Sequence, residues 1–147
     1  MVTAVENTHY HGAGPGADKS YSYRFDTPGR SVVFCGDTGP SEALTRLARD
    51  ADVLVCEVND IEASMRALAA TSKMPPQALK AVEAHMVKKH LTPQQLGMMA
   101  QKAGVKVVVL THISPGLDGE TDASRYTEGV RKHFQGTVIA GQDLMEF

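Results

Sequence analysis

The chain has 147 residues, of which 42% are hydrophobic and 22% are charged, and its formal net charge is −2. This length predicts one domain with its own core, and no apolar run reaches the ~20 residues that a membrane span needs. The charge gives no basic face, so nonspecific nucleic-acid binding is not indicated, although a nucleic-acid substrate stays open. The N-terminus lacks the basic-then-apolar pattern of a secretion signal, which favours a cytoplasmic location unless a leader is missing.

The first part of the chain predicts three strands and a helix. Residues 21–25 alternate aromatic with polar side chains and precede a Pro-Gly turn, so they should pair as an antiparallel hairpin with the next strand. Ser41 is a suitable N-cap for the helix that follows. Strands are predicted over residues 1–7, 21–25 and 31–35, a mobile loop over 12–17, and a helix over 41–50.

The second part alternates buried strands with helices. The segment 61–89 is rich in Ala, Met and Lys and is interrupted by Pro75 and Pro76, which predicts two helices that cover an edge of the sheet. Thr92 and Gln95 form a capping box for a helix that ends at Gly104. Strands are predicted over 52–57, 106–110, 137–140 and 144–147, a loop over 114–121, and helices over 93–103 and 123–134.

Five polar residues lie where predicted strands end or a helix begins: His9, Asp37, Glu57, His90 and His112. The carboxyl ends of neighbouring parallel strands meet at one edge of a sheet, so this wiring should gather all five on one rim. Asp37 alone could simply be a turn residue, and each histidine alone a satisfied polar residue. Neutral imidazoles together with carboxylates are suitable ligands for zinc or another divalent first-row metal.

The other histidines and both cysteines are predicted to have no part in chemistry. His85 lies in the Lys-rich segment and His133 on the outer side of a helix, so both are expected to be solvated. Cys35 and Cys56 lie in predicted buried strands, and neither their number nor their spacing indicates a disulfide framework, so we expect reduced core thiols. A thiol-dependent enzyme is disfavoured because no cationic residue is next to either cysteine.

Five short motifs occur in an order that resembles one hydrolase family. They are NTH at 7–9, CGDTG at 35–39, Glu57, HLT at 90–92 and LTHIS at 110–114. This order is similar to the C-terminal half of a metallo-β-lactamase-fold hydrolase, closest to the ribonuclease Z and arylsulfatase-like branch. The resemblance covers nearly the whole chain. It implies an α/β fold that is half of an αββα sandwich, with a mixed sheet covered by helices, over a single domain 1–147 with 61–89 as a helical covering insertion.

The resemblance also implies a role for each rim residue. His9 would be a ligand of one metal ion, Asp37 the carboxylate that bridges two ions, and His112 a ligand of the second. His90 and Glu57 would form the catalytic pair beside the metals, in which the histidine meets the scissile phosphate and the glutamate orients it. The implied cofactor is zinc, or manganese or iron, with up to two ions in a complete site.

One part of the family's site has no counterpart here. Such hydrolases carry a His-x-His-x-Asp-His motif in their N-terminal half, and this chain has no such string. One ion could find three ligands, but a single copy cannot assemble the two-metal clamp. His11 is the alternative to His9 as a ligand.

Two functions follow as expectations. The first is a metal-dependent hydrolase of phosphodiester or related esters, small-molecule or nucleic-acid, that acts through a metal-bound hydroxide and is incomplete without an N-terminal half. The alternative is a non-catalytic metal-binding half-domain that self-associates. In either case an apolar sheet face or edge should be left exposed, which predicts a homodimer or pairing with the missing half. No membrane partner is expected.

Overall fold

The computed structural model describes residues 1–10, 12, 14, 16–116 and 122–146. A six-stranded mixed sheet carries its strands in chain order, from β1 at one edge to β6 at the other. The strands are β1 (Val2–Glu6), β2 (Tyr21–Asp26), β3 (Ser31–Phe34), β4 (Val53–Asn59), β5 (Val107–Ser114) and β6 (Thr137–Ala140). The helices are α1 (Glu42–Leu47), α2 (Ile61–Thr71), α3 (Pro76–Lys89), α4 (Pro93–Ala103) and α5 (Ser124–Arg131).

The strand pairing changes from antiparallel to parallel at β3. β1 and β2 pair antiparallel, as do β2 and β3, which confirms the predicted hairpin. From β3 onward all neighbours are parallel. Each parallel connection passes through at least one helix, so the carboxyl ends of β3, β4 and β5 meet at one edge of the sheet.

The helix boundaries follow the predicted caps closely. The Ser41 side chain accepts from the backbone amide of Leu44 at the start of α1. Thr92 and Gln95 form the full capping box of α4, which ends at Gly104 in the left-handed conformation. These local hydrogen bonds satisfy the amide and carbonyl groups that a helix leaves unpaired at its ends.

One face of the sheet is covered by helices and carries the core. Val33, Leu54, Val108 and Val138 form a single cross-strand row on this face and belong to one buried cluster. The cluster includes residues from α1, α4 and α5, such as Leu44, Leu96 and Val130. The prediction of an α/β fold with a mixed sheet covered by helices is confirmed.

The opposite face, here called the open face, carries large apolar side chains that the described residues do not cover. Tyr21, Tyr23, Phe25 and Phe34 are 40–45% exposed. Phe25 and Phe34 contact each other edge to face, with ring centroids 5.9 Å apart. Val2, paired with Phe25 across the edge strand, is 60% exposed. The apolar face that the sequence predicts to be left exposed is therefore present.

The cysteine prediction is half right. Cys35 and Cys56 are fully buried as expected, but they form a disulfide rather than reduced thiols. Phe34 of β3 pairs with Val55 of β4, so the next residue of each strand lies side by side, with Cα atoms 5.1 Å apart. Their separation of 21 residues in the chain gives no sign of this register.

Strand β5 is longer than predicted, and His112 lies inside it. Glu57 pairs with Thr111 and Val58 with Ile113, so His112 is the extra residue of a β-bulge, with φ of 43°. The expectation that Thr111 and His112 follow the strand is therefore wrong, because β4 and β5 continue to pair beyond Leu110.

Strand β4 is also longer than predicted, so Glu57 lies inside it and not at its end, and α1 ends at Leu47 and not near Asp50. Further differences lie near the C-terminus and in the loops. Helix α5 spans eight residues and ends before Phe134. Residues 144–146 form no strand, and Phe147 lies outside the described residues. The predicted loops 12–17 and 114–121 fall partly on residues 13, 15 and 117–121, which also lie outside the description, as does His11.

The segment 61–89 forms two helices, as predicted. Helix α3 has no buried residue, so little of it covers the sheet. No helix among the described residues is long and apolar enough to cross a membrane. The cytoplasmic location stays a prediction.

Candidate metal and catalytic site

Three potential metal ligands converge at the carboxyl edge of the sheet. His9 follows β1, Asp37 follows β3, and His90 lies between α3 and α4. One ligand atom of each lies within 4.8 Å of the other two. The rings of His9 and His90 contact each other edge to face, with centroids 5.1 Å apart and planes at 75°. All three residues are partly buried, so each keeps some exposure to solvent.

The side chain of Asn7 and a backbone carbonyl fix the orientation of His9. Asn7 is 2% exposed; its amide donates to the carbonyl of Cys35 over 3.1 Å, and its side-chain oxygen accepts from the backbone amide of His9 over 3.1 Å. Nδ1 of His9 lies 3.2 Å from the carbonyl oxygen of Lys89. A carbonyl can only accept, so Nδ1 is the protonated nitrogen in this bond and Nε2 remains available as a ligand.

Glu57 connects the Asp37 loop to His90. Its side chain is 2% exposed, and one oxygen accepts from the backbone amide of Thr38 over 2.8 Å. The other oxygen lies 2.8 Å from Nδ1 of His90. The hydrogen bond to Glu57 raises the pKa of His90 above its ordinary value, against the opposing effect of burial. A buried carboxylate thus holds both the backbone next to Asp37 and the imidazole of His90 in place.

His112 reaches the cluster through Asp37. Its Nδ1 lies 2.8 Å from a carboxylate oxygen of Asp37, and its side chain is 60% exposed. The bulge in β5 places this residue at the rim. The sequence-based ligand set was His9, Asp37 and His112, whereas the mutually close donors in the structure are His9, Asp37 and His90. The structure therefore brings all five predicted rim residues together, and it places His90 in place of His112 among the mutually close donors.

The donor set suits a divalent ion. Two imidazole nitrogens and a carboxylate are a common zinc combination, and ligand atoms that share one ion at ~2.1 Å lie up to ~4.2 Å apart. The separations within 4.8 Å approach that range, so small side-chain rotations would let the three converge on one ion.

Sequence reasoning did not identify the groups that support this site. Asn7 lies in the NTH motif, so its position directly before Thr8 and His9 was an available signal. The contribution of Lys89 is a backbone carbonyl, which leaves no trace in residue type. Gly39 is a third case, because a Cβ there would lie 2.0 Å from the carbonyl oxygen of Lys88. The end of α3 therefore packs directly on the loop that carries Asp37.

Comparison with known families identifies the chain. Residues 1–113 match the family described as the beta-lactamase superfamily domain. The chain belongs to this superfamily. The resemblance predicted from the five motifs is thereby confirmed.

Similar curated proteins include several that are named ribonuclease Z. The chain is 36% identical over 126 residues to ribonuclease Z of Methanosarcina mazei and 36% identical over 118 residues to that of Bacillus velezensis. These alignments cover 81% and 80% of this chain, but only 32% of each relative. The chain therefore spans about a third of the length of these relatives.

Solved structures agree on the fold. The metallo-beta-lactamase fold protein YhfI from Bacillus subtilis aligns with a TM-score of 0.64 at 17% identity, covering 96% of this chain and 46% of that one. The short form of human tRNase Z aligns with a TM-score of 0.56 at 20% identity, covering 98% of this chain and 40% of that one. The six-stranded sheet with its helices is thus a metallo-beta-lactamase α/β arrangement.

Proposed function

We propose that this chain supplies one half of a metal-dependent hydrolytic site that acts on phosphodiesters or related esters. The observation that carries the proposal is the convergence of His9, Asp37 and His90, with Glu57 bonded both to His90 and to the Asp37 loop. Its relatives in the ribonuclease Z group support a phosphodiester as the substrate. The substrate is then either a nucleic acid or a small-molecule ester, and the same chemistry serves both.

In this proposal His9, Asp37 and His112 are the metal ligands, and Asp37 bridges two ions in a complete site. His90, although it lies close to His9 and Asp37, acts beside the ions as an acid and not as a ligand. Zinc is the first candidate, with manganese or iron as alternatives, since imidazole and carboxylate ligands serve all three. A bound ion would supply a Lewis acid and lower the pKa of its water. Asp37 suits the bridging position because its carboxylate has two oxygens, of which one lies beside His112.

His90 and Glu57 have the geometry of an oriented acid. The carboxylate holds Nδ1 of the ring over 2.8 Å, which leaves Nε2 to face the ester. The raised pKa of His90 increases its protonated fraction near neutral pH, and the imidazolium can donate to a phosphate oxygen or to the leaving group. Asp37, His90 and Glu57 are accordingly the residues to which we assign catalysis.

The rest of the site has to come from another surface. We infer that residues 1–147 form one domain, the C-terminal half of the fold, into which residues 61–89 are inserted; the shared core cluster supports this. The open face supports a homodimer or pairing with an N-terminal half, because an apolar area of this kind is seldom left exposed. In a two-fold dimer, two copies of His9, Asp37 and His112 would offer six ligands for one or two ions.

The oligomeric state is testable before any activity is measured. Light scattering of the purified chain at micromolar concentration is expected to give the mass of a dimer. A stable, metal-free monomer would contradict self-association and leave pairing with an N-terminal half. Replacing Tyr23 and Phe34 together by Ser should release the dimer if it forms through the open face.

The catalytic proposal is tested by metal content followed by hydrolysis of bis(4-nitrophenyl) phosphate, with and without added zinc or manganese. We expect bound metal and metal-dependent turnover, both lost in Asp37→Ala. His85→Asn is the control, since His85 is exposed on α3 and lies outside the cluster of potential metal ligands. Bound metal without turnover would favour the alternative function, a non-catalytic metal-binding half-domain.

A further inference from the structure

The charge of the chain is divided unevenly between one helical segment and the rest. We call residues 61–89, which comprise α2, the connection and α3, the helical arm. The arm carries five Lys or Arg residues against two Asp or Glu, a net charge of +3. The remainder carries ten against fifteen, a net charge of −5. The overall charge of −2 is therefore the sum of a basic helical arm and an acidic remainder.

Two of the three basic residues of α3, Lys80 and Lys88, lie on its solvent-facing side, where Glu83 is also exposed. Lys80, Ala84 and Lys88 follow one another at four-residue intervals, which places them along one side of the helix, and all three are exposed. His85 is exposed beside this row. The half-buried residues Leu79 and Met86 lie on the other side of the helix. Lys80 and Lys88 are separated by about 12 Å along the axis, at 1.5 Å per residue.

The C-terminal end of α3 leads into the candidate site. The ammonium group of Lys89 donates to the carbonyl of Thr8 over 3.3 Å, and the carbonyl of Lys89 lies 3.2 Å from His9. His90 follows directly as the C-cap of α3. The row formed by Lys80 and Lys88 therefore runs along the arm and ends next to the cluster of potential metal ligands.

We propose that the outer face of α3 binds the phosphate backbone of a single-stranded nucleic acid, next to the phosphodiester that enters the site. The inference rests on the proposed function for the position of that phosphodiester. It is carried by charge complementarity, since two exposed lysines on a segment of net charge +3 favour a polyanion over a cationic or neutral partner. The small side chains of Ala81 and Ala84 lie between the lysines, so they do not obstruct a nucleic-acid strand along this face.

A bilayer surface would need a different face. Interfacial helices bury Trp, Phe or Leu in the headgroup region opposite their basic side. Leu79 and Met86 of α3 are half-buried in the protein, and among the exposed residues of α3 only Val87 is a large apolar residue. The outer face thus offers charge without the apolar area that anchors a helix in lipid.

The test is the salt dependence of binding to a short fluorescein-labelled oligouridylate, followed by anisotropy with the full chain. The arm variant is Lys80→Gln with Lys88→Gln. The control variant is Arg49→Gln with Lys132→Gln, which removes the same charge from two exposed positions. Arg49 precedes β4 and Lys132 precedes β6, so both lie toward the amino ends of the parallel strands, away from the candidate site. For single strands the log–log slope changes by roughly 0.7 per phosphate contact, so the arm variant should lose about 1.4 from its slope.

Each outcome decides the proposal. A shallower slope and weaker binding in the arm variant, with the control variant like the wild type, supports it. Equal slopes in both variants overturn it. It is also overturned if the chain does not bind the oligouridylate but binds phosphatidylserine vesicles through Lys80 and Lys88. The binding measurement needs no turnover. Failure to hydrolyse bis(4-nitrophenyl) phosphate would therefore contradict the proposed function without affecting the binding result.

Discussion

Replacing Gly39 by Ala tests whether the end of α3 really supports the Asp37 loop. An added Cβ would lie 2.0 Å from the carbonyl oxygen of Lys88, 2.8 Å from its carbonyl carbon and 3.2 Å from Oγ1 of Thr8. The two nearest atoms belong to the backbone, so no rotamer change relieves the clash. Ordinary contact begins at 3.4 Å, so the gap must widen from 2.0 Å to that value.

The size of the effect follows from what that displacement breaks. Overpacking of a tight contact costs about 1–3 kcal/mol. If α3 moves instead, the bonds from Lys89 to His9 and from His90 to Glu57 lengthen, and a hydrogen bond to a charged group contributes about 1.5–3 kcal/mol. The chain will adopt the less costly response, so we expect a loss of about 2 kcal/mol, or roughly 4–8 °C in Tm for a chain of this size.

Gly29→Ala is the matched control. Nothing lies within 4 Å of a Cβ built at Gly29, and its φ is not in the left-handed region. Its free energy of unfolding should stay within about 0.5 kcal/mol of the wild type. Urea denaturation followed by circular dichroism gives both values, and calorimetric titration with zinc reports the site. If Gly39→Ala is as stable as Gly29→Ala and binds zinc equally well, the packing of α3 on the Asp37 loop is refuted.

Three further predictions concern the ionisable groups of the site. Asp37→Ala should lower the zinc content of the chain more than His9→Ala, because a charged, potentially bridging carboxylate has no neutral substitute; equal residual metal in the two variants, measured by elemental analysis, would exclude the bridging role. Glu57→Gln should lower turnover with the metal content intact, since its partners are His90 and a backbone amide; loss of metal would make Glu57 a ligand. The free energy of unfolding of the metal-free chain should fall as pH rises through the folded pKa of His90. The pKa of His90 is raised in the folded chain, so its bond to Glu57 stabilises the fold fully only below the unfolded pKa of about 6.5. Denaturation series across pH should show this dependence in the wild type and not in Glu57→Gln.

Local sequence patterns predicted most of the individual elements correctly. The alternation over β2, the apolar runs of β3 to β5 and the capping box of α4 each depend on residues close in the chain, which is why they could be recognised without a structure. The order of the five motifs predicted the superfamily. The predicted alternation of strands and helices placed all five candidate residues at one edge, since parallel connections bring the carboxyl ends of strands together.

Pairing register was decided by the tertiary structure alone. Cys35 and Cys56 form a disulfide because β3 and β4 align in one particular register, and the bulge that turns out His112 depends on how β5 continues beside β4. A shift of one residue would reverse every side chain, and composition does not encode that choice. Residues 144–146 form no strand, because the residues of an apolar run do not by themselves decide whether it pairs with another strand.

The sequence by itself identified the five side chains that the structure brings together at one edge of the sheet: His9, Asp37, Glu57, His90 and His112. Only the tertiary structure decided how they are held. Glu57 spans the Asp37 loop and His90, and a backbone carbonyl at the end of α3 orients His9. The physical reason is that the supporting atoms are largely backbone amides and carbonyls, which every residue possesses and which folding alone brings within hydrogen-bonding distance.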